Sequence, residues 1–247
     1  MKKEIYTMYK HYCNLYKLSE YKSKNLWKII RPICYHKEFL KRFKSPYWHH
    51  DNKTISEHII CDTIVTYKIV DKLQKKKRLA KIINIKNAVL ISMFHDLYQE
   101  PWQNNFALNY KKLINKHAFT HPIEAAINAI TWFPQYFENK NDAFIIIDGI
   151  VHHMFPLPVR AVNNNDMQLN NNDKYNNISN EYIKMLQLST KTGRFNNLSL
   201  RKSLFLEGRI MSKADKIVAI RKDLKSIDGY IAFLTGKNKK LINKKVD

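Results

Sequence analysis

The chain has 247 residues and a mass of 29.4 kDa, with 45% hydrophobic and 26% charged residues. This length and composition predict one globular core with extensions, and they exclude wholesale disorder and fibrous repeats. Five glycines and seven prolines are too few for a turn-rich β-sandwich or barrel. The sequence contains no GxxxxGK or GxGxxG phosphate-binding loop.

Targeting signals and disulfide patterns are also lacking in the sequence. No uninterrupted apolar run approaches the roughly 18 residues needed to cross a bilayer, and the first residues lack the apolar centre and cleavage site of a signal peptide. Cys13, Cys34 and Cys61 form no CxxC pair and cannot all pair with one another. We therefore expect a cytoplasmic protein that does not bind membranes.

The formal net charge is +22, from 43 basic and 21 acidic side chains. This excess favours an anionic partner and leaves nucleic acid open as one. The lysines are scattered along the chain, however, and Lys, Asn, Ile and Tyr, which A/T-rich codons encode, are all abundant. Codon bias explains the charge equally well, so the charge alone names no ligand. The sequence does not indicate an oligomeric state.

The first half of the chain is typical of helices. Residues 1–46 predict a helical extension that Pro32 should break. From Thr54 onward, apolar residues recur at spacings of three and four, which predicts a long amphipathic helix with Thr54 or Ser56 as its cap. A second helix is predicted from Ile85 to Leu97, and Pro101 should end it.

Two further helices carry histidines near their ends. Pro122 is well placed as the first residue of a third helix, which puts His121 at or beside the N-cap. A fourth helix is predicted from Asn141 or Asp142 to His153, after which Met-Phe-Pro-Leu-Pro ends it.

The last third of the chain begins with an asparagine-rich segment at about 160–197, interpreted mostly as a surface insertion with a short helix near 182–188. A long helix is then predicted over about 200–224, followed by a short one at 230–234 and a basic tail. No stretch alternates cleanly at period two. The predicted fold class is therefore all-α.

Histidines and aspartates occupy inward helical stripes or helix ends in this framework. They are His58, His95, Asp96, His121, His153 and Asp215. A buried carboxylate takes up a proton, pairs with a partner or binds a cation. Each residue by itself is more commonly structural than a ligand, and Asp215 could pair with Lys216. Together on five successive predicted helices, imidazoles and carboxylates indicate a site for Fe, Mn, Co or Zn.

The order His, His-Asp, His, His-His, Asp resembles the HD superfamily of metal-dependent phosphohydrolases. Three local segments are similar to the defining segments of this family: SEHIICDTIVTYKI, LISMFHDL and SKADKIVAI. Three others resemble a bacterial HD-domain hydrolase subgroup: YWHHDNKTISEH, HAFTHPIEAA and VHHMFPL. The resemblance covers about residues 30–225. The interval between His153 and Asp215 is longer than is usual in the family, and Leu-Tyr-Gln-Glu follows His-Asp where the family often has a small residue.

The resemblance implies an HD-type helical bundle over 47–225 that contains the insertion at about 160–197. Residues 1–46 would form an N-terminal helical extension, and residues 226–247 a C-terminal helix and basic tail.

The resemblance also implies a divalent transition metal, Fe, Mn, Co or Zn, as one or two ions, with two as the first choice. The implied ligands are His58, His95, Asp96 and Asp215 for one ion, and His121, His153 and a bridging Asp96 for the other, with His152 as a further candidate. Adjacent helical residues point about 100° apart, so only one of His152 and His153 needs to face inward.

Such ions lower the pKa of bound water and hold phosphoryl oxygens for in-line attack. We therefore expect a phosphomonoesterase or phosphodiesterase in which metal-bound hydroxide cleaves a phosphate ester of a nucleotide or a similar small phosphorylated substrate. Asp96 is expected to be a catalytic residue as well as a ligand. Arg160, Lys213 and Lys216 are candidates for binding the phosphate, although each is more commonly a solvated side chain.

Three more histidines are candidates for the substrate pocket. His49 and His50 precede the first metal-binding helix, and His117 precedes His121 by four residues. Such histidines could contact the substrate or act as a general acid. His50 is the candidate for substrate binding, and His117 is the candidate general acid. They could equally be surface histidines.

Two other classes of function stay open from the sequence. One is a nucleic-acid-binding protein with a structural metal site, which a continuous basic face away from that site would favour. The other is an HD protein that senses a nucleotide without turnover, which the intact set of ligands disfavours.

Overall fold

The computed structural model describes residues 1–44, 49, 51–98, 117–162, 178–191, 198–221 and 224–234, without the side chains of 117, 118, 220, 221 and 224–226. Helices predominate in these ranges, so the predicted all-α class is confirmed. The helices are α1 (Lys2–Leu15), α2 (Glu20–Cys34), α3 (Lys37–Lys41), α4 (Ile55–Gln74), α5 (Lys77–Ala80), α6 (Ile85–Phe94), α7 (His117–Trp132), α8 (Lys140–Val151), α9 (Asn180–Ser189), α10 (Leu206–Lys216) and α11 (Leu224–Leu234).

Shorter elements complete the described part of the chain. A 3₁₀ turn at Pro134–Tyr136 precedes α8, and a π-helical turn at Ile217–Arg221 follows α10. Strands β1 (Val159–Arg160) and β2 (Leu198–Ser199) pair antiparallel. This two-residue ladder lies at the two ends of the asparagine-rich segment.

Helix α6 forms the centre of the bundle. Its side chains from Asn87 to Phe94 are all buried, since the run is apolar around its whole circumference. Asn84 caps the helix by accepting hydrogen bonds from the backbone N–H groups of Lys86 (2.9 Å) and Asn87 (3.3 Å). Helices α4, α8 and α10 pack around α6, so the residue that follows it, His95, lies in the interior.

Helix α4 brings the first metal-site histidine to this centre. Thr54 caps it as predicted, accepting from the Glu57 N–H at 3.3 Å. The helix is buried on most sides because α6 and α10 cover one part of its surface and α1 and α11 cover another. His58 is consequently fully buried.

The N-terminal helices are joined to the same hydrophobic core, which extends from Ile5 to Ile227. The Lys22 ammonium lies 2.5 Å from Asp71 on α4. Pro32 does not break α2, which continues to Cys34. The hydrogen bond that proline removes is offset by burial of the last two residues of the helix.

Some predicted helix boundaries were wrong. Helix α7 begins at His117, so Pro122 lies within it and His121 is not its N-cap. Helix α8 ends at Val151, with His153 beyond it. The last carbonyls of a helix lack intrahelical donors, and the His153 ring satisfies one of them by donating from Nδ1 to the carbonyl oxygen of Ile150 (2.7 Å).

The predicted long helix over 200–224 is shorter in the structure, since α10 starts at Leu206 and gives way to the π-helical turn. The short helix expected near 182–188 is present as α9, which packs on α8. Pro101, most of the asparagine-rich segment and the basic tail lie outside the described residues. The domain boundaries at 46 and 225 stay predictions. No helix in the described part of the chain is long and apolar enough to cross a membrane.

Candidate metal centre

Five helical segments direct histidine and aspartate side chains to one place inside the bundle. The contributing positions are His58 in α4, His95 and Asp96 directly after α6, His121 in α7, His153 after α8 and Asp215 in α10. All six side chains are buried, and none is more than 8% exposed. The structure therefore brings together residues that are far apart in the sequence.

One oxygen of Asp96 faces a first group of imidazoles. Asp96 Oδ2 lies 3.6 Å from His95 Nε2, 3.8 Å from His58 Nε2 and 3.6 Å from His49 Nε2. Asp215 Oδ1 approaches the same group, 3.2 Å from His58 Nε2. Three imidazole nitrogens and two carboxylate oxygens therefore lie close to one another in this group.

The other oxygen of Asp96 faces a second group. Asp96 Oδ1 lies 3.5 Å from His121 Nε2 and 3.6 Å from His153 Nε2. The two Nε2 atoms are themselves 3.0 Å apart. The Asp96 carboxylate therefore stands between two sets of donors, with one oxygen toward each.

The rings are held from the side that faces away from Asp96. His95 Nδ1 lies 2.7 Å from the carbonyl oxygen of Ser92, and His153 Nδ1 lies 2.7 Å from that of Ile150. A carbonyl can only accept, so each of these rings donates from Nδ1 and turns the lone pair of Nε2 toward Asp96. Hydrogen bonds of this kind commonly orient histidines that bind metals.

Two buried ring nitrogens lack a hydrogen bond to any described residue. They are the Nε2 atoms of His58 and His95. The ion-pair distance of 3.2 Å between His58 Nε2 and Asp215 is not accompanied by hydrogen-bond geometry. Buried polar atoms without partners are costly, and a cation at this position would satisfy both. Imidazole nitrogen and carboxylate oxygen form a donor set that suits a divalent transition metal.

Electrostatics keep the two carboxylates ionised. Burial alone would raise the pKa of Asp96, but the surrounding imidazoles, with His95 the strongest, hold it well below its usual range. Burial acts against ionisation of Asp215 as well, yet its contact with His58 lowers the pKa of that carboxyl. The centre therefore carries negative charge that needs a positive counterpart.

The imidazoles near these carboxylates differ in their pKa values. Burial would lower the pKa of His58, but Asp215 and Asp51 raise it to about 10. His153 is affected chiefly by burial and by His95, which lower its pKa to about 4. In the metal-free protein a proton on His58 thus partly neutralises the site, and His153 stays a neutral potential ligand.

Three sets of buried side chains are close enough to hold an ion. They are His58–His95–Asp96, Asp96–His121–His153 and His49–Asp51–His58. In each set the candidate ligand atoms lie within 4.8 Å of one another. The buried His and Asp side chains could therefore hold metal, in a helical fold compatible with an HD domain.

His152 lies apart from this cluster. Its Nε2 is 2.8 Å from the carbonyl oxygen of Ser189 and 3.9 Å from Asp148. Burial and the nearby Arg201 lower the pKa of His152, which favours the neutral form of its ring. The structure thus places His153 in the cluster, whereas the His152 ring contacts the carbonyl of Ser189 in α9.

The predicted substrate-binding residues are placed as follows. The Lys216 ammonium donates to Ser212 Oγ at 2.8 Å and lies 3.4 Å from the His153 carbonyl. The Lys213 ammonium lies 5.8 Å from the centroid of the Tyr230 ring. Arg160 is half-buried in β1. Their roles toward a substrate stay predictions.

Two predicted residues fall outside the description. His50 is not among the described residues, and His117 is described only as the first residue of α7. Their roles as substrate-binding residue and general acid stay predictions.

His49, for which no ligand role was predicted, lies in the first group. Asp51, which was not predicted to belong to the site, contacts both His49 and His58. These residues precede α4 in a segment without apolar periodicity, so no pattern predicts which way they face. The only signal was the histidine and aspartate run His49-His50-Asp51 just before a capped helix.

In comparisons with known proteins, no protein-family model matches the chain. No curated protein and no solved structure matches it either.

Proposed function

We propose that the protein is an HD-type, metal-dependent phosphohydrolase that acts on a nucleotide or a similar small phosphorylated substrate. The observation that carries the proposal is the position of Asp96, whose two oxygens face two separate groups of imidazoles. The ordered motifs around His58, His95–Asp96 and Asp215, which resemble those of the HD superfamily, support the same conclusion.

The donors divide into two positions under this proposal. His58, His95, Asp215 and Asp96 Oδ2 would hold one cation, and His121, His153 and Asp96 Oδ1 the other. Divalent ions bound at these positions would supply a water of lowered pKa and positive charge for the phosphoryl oxygens. Fe, Mn, Co and Zn all suit this set of nitrogen and oxygen donors.

The remaining task of the protein is to orient these donors and to balance charge. The carbonyls of Ser92 and Ile150 fix the rings of His95 and His153, so the donors need not reorganise when an ion enters. The carboxylates of Asp96 and Asp215 would offset only part of the charge of two divalent cations, and the remaining positive charge would favour an anionic substrate such as a phosphate ester.

The test begins with the metal content of the purified protein, measured by elemental analysis. Release of phosphate is then screened with Mn, Co, Fe, Zn and Mg on nucleoside monophosphates, dinucleoside polyphosphates and cyclic dinucleotides. We expect bound metal and hydrolysis of at least one of these substrates. The variants His95→Ala and Asp96→Ala should lose both the metal and the activity, whereas His11→Ala, at an exposed histidine of α1, should keep both.

Unchanged activity in His95→Ala or Asp96→Ala would refute the proposal. Nucleotide binding that requires the metal, without turnover of any substrate, would instead indicate a sensor. Binding of nucleic acid that survives loss of the metal would indicate the second alternative, in which the net charge makes the contact.

A further inference from the structure

His49 and His58 form a stacked pair between two carboxylates. Their ring centroids are 3.6 Å apart and their planes differ by 21°. On one side, the Nε2 atoms lie 3.6 and 3.8 Å from Asp96 Oδ2. On the other side, His49 Nδ1 lies 2.9 Å from Asp51 Oδ1, and His58 Nδ1 lies 3.2 Å from Asp51 Oδ2. Each oxygen of Asp51 thus serves one ring.

Asp51 is itself held firmly. Its side chain is completely buried. The Lys53 backbone N–H donates to Oδ1 at 3.2 Å, and the Lys53 ammonium donates to Oδ2 at 2.5 Å. Asp51 is consequently a carboxylate with two fixed acceptor oxygens.

An ionised carboxylate can only accept hydrogen bonds. Both imidazoles must therefore donate from Nδ1, and in its neutral form each ring then carries its lone pair on Nε2. Those lone pairs point toward Asp96 Oδ2, the oxygen that also faces His95. The Asp51 carboxylate, in the segment before α4, thereby determines which nitrogen of each ring carries the proton.

A cation on the opposite side of the rings, between their Nδ1 atoms and Asp51, is the competing arrangement. That position is disfavoured because the ammonium of Lys53 already occupies the Asp51 oxygen nearest His58. A divalent ion there would face a fixed positive charge at close range. The side of the pair toward Asp96 instead presents a carboxylate oxygen, 3.6 and 3.8 Å from the two Nε2 atoms.

We propose that Asp51 is a positioning residue that fixes His49 and His58 for metal binding, and that His49 is an additional ligand of the cation position formed by His58 and Asp96 Oδ2. This inference rests on the proposed function. The other position takes its imidazoles from His121 and His153, and the His153 ring is fixed by a backbone carbonyl instead. Loss of Asp51 should therefore affect one of the two cation positions.

The test is a Zn²⁺ titration of the full chain against a competing chelating dye, which counts equivalents and measures their affinities. In Asp51→Asn the amide oxygen can accept from one ring, but the NH₂ group confronts the N–H of the other. We expect one zinc equivalent to bind about 10- to 100-fold more weakly, as is typical when an orienting group is lost. His49 lies outside the helices, and the variant His49→Ala should weaken binding of the same zinc equivalent.

Asp148→Asn is the matched control, because Asp148 is a fully buried carboxylate outside the cluster. It accepts from Arg201 (2.6 Å) and Ser203 (2.7 Å). This variant should be less stable but should bind both zinc ions with wild-type affinity.

The outcomes separate the inference from the proposed function. Selective weakening of one equivalent in Asp51→Asn and His49→Ala supports the positioning role. Wild-type affinity for both equivalents in these variants overturns it, as does an equal loss of both that parallels a loss of stability. If the wild-type protein takes up no zinc or other divalent transition metal, the proposed function fails and the positioning role fails with it.

Discussion

Helices α8 and α10 approach each other closely where Gly149 faces Gly208. A Cβ atom added at Gly208 would lie 2.7 Å from the Cα of Gly149 and would also clash with the side chain of Ser203. Ser203 cannot turn away freely, because its hydroxyl donates to Asp148 at 2.7 Å. We therefore predict that Gly208→Ala forces the two helices apart.

The magnitude follows from the geometry. Carbon atoms pack best at about 3.5–4.0 Å, so the helices must separate by roughly 1 Å. Overpacking typically costs about 1–3 kcal/mol, and the upper part of this range applies because the obstructing neighbour is backbone. Alanine returns up to about 1 kcal/mol through its better helix propensity. The free energy of unfolding should thus fall by about 2 kcal/mol.

The same shift should weaken metal binding. Asp215 lies about two turns further along α10 than Gly208, so it shifts with the helix relative to the ligands on the other helices. Zinc titration should detect this as a lower affinity at the position that includes Asp215.

The assay is urea unfolding of the metal-free protein, followed by circular dichroism. Gly229→Ala in α11 is the control, because a Cβ there meets no heavy atom within 4 Å. This control should be unchanged or up to about 1 kcal/mol more stable. If Gly208→Ala proves as stable as Gly229→Ala, the close approach of α8 and α10 is refuted.

Three further predictions concern charge and metal. Burial raises the pKa of Asp62 from 3.8 to about 7, so the folded state keeps a proton that the unfolded state has lost. As the pH rises from 6 to 8, Asp62 should therefore lower the free energy of unfolding of the metal-free protein by about 1.4 kcal/mol. Urea titrations at pH 6 and pH 8 should show that Asp62→Asn lacks this decrease. An identical pH dependence in the wild type and Asp62→Asn would contradict the prediction. Arg201→Ala leaves the buried Asp148 without its cationic partner and should cost about 1–3 kcal/mol of unfolding free energy, with the exposed Lys184→Ala as a neutral control. Removal of metal by a chelator should lower the Tm by roughly 5–10 °C relative to protein holding metal at 100 times its Kd, and a Tm that responds neither to chelation nor to added metal would argue against a bound ion.

The sequence was most informative about the helices with clear caps and apolar periodicity. Thr54 and the apolar spacing after it predicted α4 to within a residue of its observed start. Boundaries failed where burial outweighed a local signal. Pro122 has a strong preference for the first turn of a helix, yet α7 begins at His117, five residues before it.

The site could be predicted only in part for a similar reason. Histidines on the inward stripes of helices have a defined direction, and the spacing of His58 within α4 was enough to place it inside. His49 and Asp51 precede that helix, where no period links sequence position to direction. Their contact with His58 depends on how the incoming segment lies against α4, which is a property of the packed protein.

Distances between helices were equally out of reach. Gly149 and Gly208 lie far apart in the chain, and a single glycine within a helix predicts no more than reduced helix propensity. Only the packed bundle reveals that both glycines are needed for α8 and α10 to approach. That approach brings the helix that carries Asp215 close to the helix that ends just before His153.

One feature of the ligands is local, although it was missed because the two helices were predicted to extend to Leu97 and His153 and they end at Phe94 and Val151. His95 and His153 each donate from Nδ1 to the carbonyl three residues earlier, at Ser92 and Ile150. Both histidines lie within two residues of the end of a helix, where the last carbonyls lack intrahelical partners. A histidine at such a position can satisfy one of these carbonyls and, in doing so, keep Nε2 unprotonated for a ligand. The end of a buried helix therefore fixes the form of the ring as well as its place, and this explains how two unrelated segments deliver equivalent nitrogens to the same carboxylate.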